Sequence, residues 1–263
     1  MIIDIQFISL QVYKLFYCYN LIIYTYTKMN AVIIIIISVI IIFIVANTIC
    51  FFCFKHKQIS GFDANQIAGY ADVSDPYDMP FTLQQLLTPE HCRQIISASV
   101  DKLVDSQVIG GNHRNIRNSR QHWIGKNDPL VKPLFEEIAR SFGIPFENAE
   151  DLQVVRYQPN QYYNEHHDSC CENNDKCIAF ANRGGQRILT VLIYLNNEFD
   201  EGNTYFKNLN LKVKPATGDA IVFYPLAKNS NKCHPYALHA GMPVTGGEKW
   251  IANLWFRENK FIA

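Results

Sequence analysis

Tyr157-Gln158-Pro159-Asn160-Gln161-Tyr162-Tyr163-Asn164-Glu165-His166-His167-Asp168 is the stretch on which the reading of this 263-residue chain turns. Its chemistry lies in the last three residues. On an extended strand successive side chains leave opposite faces, so His166 and Asp168 share one face and His167 points to the other. His167 is therefore read as a non-ligand. An imidazole and a carboxylate on one face are two of the three ligands of the facial triad that holds non-haem Fe(II) and leaves positions open. Alone, a His-x-Asp tripeptide recurs by chance at polar strand ends. A further His is needed from elsewhere in the chain.

The downstream sequence supplies one in a characteristic setting. Arg187-Ile188-Leu189-Thr190-Val191-Leu192-Ile193-Tyr194-Leu195-Asn196 comes first, then Glu201-Gly202-Asn203-Thr204-Tyr205-Phe206. Val213-Lys214-Pro215 and Gly218-Asp219-Ala220-Ile221-Val222-Phe223 follow. His239 then opens His239-Ala240-Gly241-Met242-Pro243-Val244, 71 residues after Asp168 (239 − 168). Lys249-Trp250 begins the apolar run that ends at Phe256. In this ordered set the chain resembles the 2-oxoglutarate- and Fe(II)-dependent oxygenases, in particular the prolyl 4-hydroxylases. The resemblance spans roughly residues 83–258 and is densest from Gln153 onward.

The resemblance implies that His166, Asp168 and His239 hold Fe(II), with His239 chosen because it precedes Pro-Val. His234, five residues earlier, is read as a surface histidine. It further implies that Tyr157 and Tyr194 lie in the pocket for 2-oxoglutarate, with Thr190 beside them. The residue chemistry agrees. Open positions on the metal admit O₂ and a 2-oxo acid, which chelates through its carboxylate and ketone. The far carboxylate of that acid needs a cation, and Lys249, just before an apolar strand, can supply an ammonium. The presence of Asp168 argues against a halogenase.

The implied activity is hydroxylation of peptidyl proline coupled to decarboxylation of 2-oxoglutarate to succinate, with O₂ consumed and L-ascorbate keeping the iron reduced. The implied partner is a proline-containing peptide, collagen-like segments included, in a disordered or polyproline II conformation. Two alternatives stay open. One is the same chemistry on peptidyl lysine or a small molecule. The other is a non-catalytic, membrane-tethered jelly-roll binding module.

The chain is 48% hydrophobic with 24 basic and 24 acidic residues. Residues 1–57 hold Lys14, Lys28, Lys55 and Lys57 against Asp4, a net of +3, which leaves −3 for the remainder. That balance gives no electrostatic footprint for nucleic acid. Residues 31–54 carry no charge over 24 positions. A bilayer-spanning helix needs about 20 apolar residues. A single transmembrane helix is expected there, after an apolar segment at 1–30 that is spurious if Met29 is the start. A linker is read at 55–80. Lys55 and Lys57 argue for a cytosolic C-terminal side, Lys14 and Lys28 for the opposite. The family resemblance implies a catalytic domain in the endoplasmic reticulum lumen.

Beyond the linker the expected architecture is mainly β with flanking helices: a double-stranded β-helix (jelly roll) core at 151–263, packed by a helical part at 81–150. Thr88-Pro89-Glu90 opens a helix, with Thr as N-cap and Pro at its first position. A second is expected at 129–142, ended by Gly143. Gly110 to Arg120 reads as a polar loop, and 118–123 as the edge of a substrate groove. Strands are expected at 152–157, 187–195, 211–213, 220–224 and 250–256. Trp255 is read as core near the site. The loop 169–185 resembles the family's substrate lid. For its Cys170, Cys171 and Cys177, and for Cys233, disulfides, a Cys/His zinc site and free thiols all remain open.

Overall fold

The computed structural model describes residues 69–108 and 113–263. The anchor expected at 31–54, the segment before it and the linker up to residue 68 lie outside the described residues. Among the described residues no helix is long and apolar enough to cross a membrane.

Thirteen strands and three α-helices are described. In order they are β1 (Phe81–Leu83), α1 (Pro89–Ser99), β2 (Val104–Asp105), β3 (Arg120–Ile124) and α2 (Lys132–Phe142). Next come β4 (Leu152–Tyr157), β5 (Tyr163–His166), α3 (Asp175–Ala181), β6 (Arg187–Tyr194), β7 (Phe199–Glu201) and β8 (Thr204–Phe206). The chain ends with β9 (Leu211–Val213), β10 (Ala220–Phe223), β11 (His239–Gly241), β12 (Val244–Gly247) and β13 (Lys249–Arg257). A seven-stranded sheet runs β1-β10-β6-β13-β4-β3-β2, a four-stranded sheet runs β5-β11-β8-β9, and β12 pairs with β7. The pairings are antiparallel, and the fold is the expected jelly roll.

Strand alternation sorts the large sheet into two faces. From β6, Leu189, Val191 and Ile193 join one core cluster, whereas Leu192 and Tyr194 join another. From β13, Ala252, Leu254 and Phe256 belong to the first cluster and Ile251 to the second. The first cluster also contains Cys92 and Ile95 of α1 and Leu134, Phe135 and Ile138 of α2. The second holds Phe206 of β8 and Val244 of β12. It is the interior of the roll, and the inward positions of β4, β6 and β13 reach it.

Local chemistry explains the element ends. The Thr88 side chain accepts from the His91 N–H at 3.1 Å, so α1 starts where the sequence placed it. Gly143 closes α2 at φ 65°, but α2 begins at Lys132 rather than Pro129. The difference lies in Asp128, whose side chain accepts from the Leu130 N–H at 2.9 Å and holds a turn ahead of the helix. Gly218 sits at φ 87°, where an added Cβ would lie 2.1 Å from the Leu87 carbonyl oxygen. Only glycine fits this turn into β10.

Two segments depart from expectation. The part at 81–150 is not purely helical, because β1, β2 and β3 from it extend both edges of the large sheet. The register Gln121↔Val155 shows why: 118–123, read as a groove edge, is for the most part a strand against β4. The loop 169–185 contains α3, capped by the Asn174 side chain accepting from the Cys177 N–H at 3.0 Å.

A buried charge network joins this loop to the sheet. Glu150, 2% exposed, accepts from Arg187 at 2.6 and 2.9 Å and from Arg257 Nε at 2.8 Å. Arg257 also donates to the carbonyls of Phe180 and Gly185 at 2.8 and 2.7 Å. Burial pushes the Glu150 carboxyl up, but the charges and hydrogen bonds of Arg187 and Arg257 outweigh it and hold it below the usual carboxylate range. Its stabilisation is therefore complete above the ordinary carboxylate pKa and is lost as pH falls through the lowered one. Glu150→Gln leaves two buried guanidiniums uncompensated and is expected to cost about 3–5 kcal/mol. Thermal melts followed by circular dichroism should show a Tm lower by roughly 6–20 °C. Glu90→Gln, which breaks an exposed pair with Arg93, should melt with the unaltered chain.

Candidate active site

His166 ends β5 and His239 opens β11, and the two are direct Cα partners across the strand pair. Their ring centroids lie 4.2 Å apart. Asp168 follows two residues beyond the end of β5. The ligand atoms of His166, Asp168 and His239 all lie within 4.8 Å of one another. The structure thus brings together the three residues that the sequence singled out.

The tautomer of each imidazole is set by its backbone. His166 Nδ1 lies 2.8 Å from the Asn164 carbonyl, and His239 Nδ1 lies 2.9 Å from the Ala237 carbonyl. A carbonyl only accepts, so each Nδ1 carries the proton and each Nε2 keeps its lone pair. That is the arrangement a metal-binding imidazole requires. Burial and then the neighbouring His239 hold the His166 pKa well below its ordinary value, so the ring is neutral near pH 7.

Asp168 is 5% exposed and is oriented from the opposite sheet. Its Oδ2 accepts from the Thr190 hydroxyl at 2.7 Å and from the Trp255 indole N–H at 3.1 Å. Oδ1 is left facing His166 Nε2 at 3.8 Å. Burial pushes this carboxyl up, yet His239, His166 and Arg187 overcome the effect and hold it at about 2. It is a carboxylate at any working pH. Two imidazoles and one carboxylate, with no thiolate, form a donor set that fits Fe(II).

A cavity of about 450 Å³ adjoins these groups, lined among others by Tyr157, Trp255 and Lys249. Lys249 is 1% exposed and donates to the Gly202 carbonyl at 2.6 Å. Its ammonium lies 5.4 Å from the Tyr157 ring centroid and 5.0 Å from that of Tyr194. Burial and then the Lys214 charge lower its pKa to about 7. The Tyr194 hydroxyl pairs with Thr204 Oγ1 at 2.7 Å. One end of the cavity is therefore a ligand cluster and another wall carries a cation.

Two assignments change, and one that was open is decided. Thr190 meets Asp168 and not Lys249, so its hydroxyl orients the carboxylate. His234 is not on the surface: it is fully buried, stacks on Tyr77 at 4.2 Å and receives the Tyr236 N–H at 3.1 Å. The four cysteines form the disulfides Cys170–Cys177 and Cys171–Cys233, and Cys92 is free and buried. The sequence reading missed Tyr163, stacked on His166 at 3.5 Å, and Arg117, placed 4.7 Å from the Tyr163 ring. It also left Trp255 as packing. An indole N–H beside a carboxylate comes only from tertiary contact, and no spacing rule announces it.

Comparison with known proteins follows the same lines. The 2OG-Fe(II) oxygenase superfamily matches residues 152–257. A protein of Acanthamoeba polyphaga mimivirus, named for prolyl 4-hydroxylase activity, is 69% identical over 192 residues, which cover 73% of this chain and 79% of that one. Prolyl 4-hydroxylase 1 of Arabidopsis thaliana is 30% identical over 197 residues, covering 67% and 68% of the two chains. Among solved structures, the 2OG complex of the viral collagen prolyl hydroxylase from Paramecium Bursaria Chlorella virus-1 matches with a TM-score of 0.54 at 31% identity, covering 68% of this chain and 95% of that one. Fold, donor set and relatives agree: the chain belongs to the prolyl 4-hydroxylase family of 2-oxoglutarate- and Fe(II)-dependent oxygenases.

Proposed function

We propose that this oxygenase hydroxylates proline residues in extended peptide segments, collagen-like ones included. The observation that carries the reading is the cross-strand pair His166–His239, with both Nε2 atoms free beside an ionised Asp168. The names of the mimivirus and chlorella virus relatives support proline as the target. When bound, Fe(II) supplies the redox chemistry that couples O₂ and 2-oxoglutarate to hydroxylation, with succinate and CO₂ as co-products and ascorbate as the reductant that maintains it.

The chain's own residues do the positioning. His166, Asp168 and His239 hold the metal. Thr190 and Trp255 fix the carboxylate so that one oxygen faces the metal position. Lys249 neutralises the far carboxylate of 2-oxoglutarate, and Leu192 and Ile251 wall that part of the cavity. The charge-free run at 31–54 supports a single-pass membrane anchor for this enzyme, and the family resemblance together with the disulfides Cys170–Cys177 and Cys171–Cys233 supports a catalytic domain in the oxidising endoplasmic reticulum lumen.

The direct test is mass spectrometry of proline-rich and collagen-like peptides after incubation with enzyme, Fe(II), 2-oxoglutarate and ascorbate. A mass gain of one oxygen on proline is expected, and oxygen on lysine or on no peptide would overturn the reading. Asp168→Ala should abolish turnover and weaken iron binding. His167→Ala should retain most activity in the oxidised protein, since the ring nitrogens of His167 group with Cys171 and Cys233 and not with the triad. Iron titration beside the peptide assay separates the two variants.

Lys249 adds a pH signature. A group whose pKa is lowered to about 7 is charged below that pH and neutral above it. Binding of the dianionic co-substrate needs the ammonium, so above pH 7 it takes up a proton. The dissociation constant of 2-oxoglutarate should then rise by up to about tenfold per pH unit. Lys249→Ala should weaken binding about a hundredfold or more and abolish the pH dependence, while iron still binds. Lys249→Arg stays charged and should rescue part of the affinity without the pH dependence. Calorimetric titrations across neutral pH provide the check, and a flat profile in the unaltered enzyme would remove the assignment.

A further inference from the structure

Behind the His166–Asp168–His239 site lies a second cluster of metal-ligating side chains. The ligand atoms of His167, Cys171 and Cys233 lie within 4.8 Å of one another. Cys171 and Cys233 close a disulfide whose Cα atoms are 5.6 Å apart. His167 Nδ1 is buried and has no hydrogen-bond partner. A buried polar atom in that state is costly unless something engages it. The other disulfide, Cys170–Cys177, forms no such group with a histidine among the described residues.

The surroundings suit a soft metal. Cys171 and Cys233 pack with Leu226 and Ile188, an apolar wall on one side. On the other, His167 and Cys171 line an open cavity of about 610 Å³ together with Tyr70 and Ser169. Tyr70 meets the His167 ring edge-on at 5.6 Å, and its backbone bridges Cys233. Two sulfurs and one imidazole prefer Zn(II) to Fe(II), whereas the neighbouring triad has no sulfur.

We propose that His167, Cys171 and Cys233 form a redox-controlled zinc site: with the S–S bond reduced, two thiolates and the His167 imidazole hold Zn(II), and a water from the adjoining cavity is the fourth ligand. A thiol or phosphine reductant supplies two electrons, the S–S bond breaks, and two protons give two thiols. Zn(II) then displaces those two protons and forms two Zn–S bonds. The metal's double charge is matched by the two thiolates, so the buried site stays neutral. The movement required is small. A tetrahedral ion with Zn–S bonds of about 2.3 Å holds its sulfurs about 3.8 Å apart, against about 2.0 Å in a disulfide. In either state the lid segment bearing Cys171 stays fastened to the segment that leads into His239.

Cobalt(II) tests this, because thiolate-to-cobalt charge transfer absorbs strongly in the near ultraviolet and the His166–Asp168–His239 site cannot give that band. The full chain is used with Cys18, Cys50 and Cys53 changed to serine. After phosphine reduction, titration should produce the band and saturate it by two equivalents, because the His166–Asp168–His239 site also takes up cobalt without contributing to the band, and zinc should bleach it. The oxidised protein and Cys171→Ser should show none. His167→Ala should bind cobalt in the reduced protein at least about tenfold more weakly, the loss that follows even from removing an outer partner of a metal ligand. The double variant Cys170→Ser/Cys177→Ser should keep the band. No band on reduction, a band that survives Cys171→Ser, or one lost with Cys170 and Cys177 would each overturn the proposal. So would loss of the near-ultraviolet circular dichroism of the fold on reduction, since the fold must hold the three ligands together.

Discussion

The register His239↔His166 is the constraint on which the site rests. A slip of one residue between β5 and β11 would turn one imidazole to the other face, because side chains alternate along a strand. The four-stranded sheet therefore supplies the two candidate imidazole ligands as one rigid unit. Asp168 is different. It lies beyond the end of β5, where no ladder bond fixes it, and its position is set from the opposite sheet by Thr190 of β6 and Trp255 of β13. Those two residues are themselves Cα partners in the large sheet. The metal position is thus where the two sheets of the roll meet, and anything that shifts one sheet against the other moves the carboxylate relative to the imidazoles.

The buried Glu150–Arg187–Arg257 network limits such a shift. Arg187 lies 3.5 Å from the Trp255 ring and reaches the Asp168 carbonyl at 3.4 Å. Arg257 holds the carbonyls of Phe180 and Gly185 in and after α3. One carboxylate therefore couples the segment after Asp168 to the strand that carries Trp255. Replacing a buried ion cluster by apolar residues is often neutral for stability, so its value lies in geometry: a bidentate guanidinium fixes orientation as an apolar side chain does not. The disulfide Cys171–Cys233 acts on the same segment from the other side, closing a separation of 62 residues that contains β6 to β10.

Much of this was legible in the sequence. The His-x-Asp pair, His239 and Lys249 are separated by characteristic stretches, and the strands β4, β6, β9, β10 and β13 read out as apolar runs between turn signals. These features are local. What escaped is non-local. Strand β3 reads as polar because Gln121 bonds Gln153 inside the fold at 2.7 Å instead of packing an apolar face. His234 reads as a surface residue because its burial depends on Tyr77, 157 positions away in the chain. The indole of Trp255 and the hydroxyl of Thr190 look like packing until the sheets close and a carboxylate arrives between them. The start of α2 was misjudged by a turn because the Asp128 side chain engages the Leu130 N–H and holds residues 128–131 in a turn.

Asp168 and Lys249 are both buried ionisable groups of one cavity, yet burial decides only one of them. Asp168 stays ionised, held at about 2, because two histidines, a guanidinium and a hydroxyl oppose the desolvation penalty. Lys249 falls to about 7, because a single carbonyl cannot oppose its burial and the like charge on Lys214 adds to the effect. A stronger partner for Lys249 would restore its charge and would also occupy the position proposed for a co-substrate carboxylate. Among the described residues no carboxylate pairs with this cation, and the proposed co-substrate would provide one. At the metal end the opposite logic holds: the carboxylate is fully satisfied on Oδ2 and open on Oδ1, so charge and direction are both in place before anything binds.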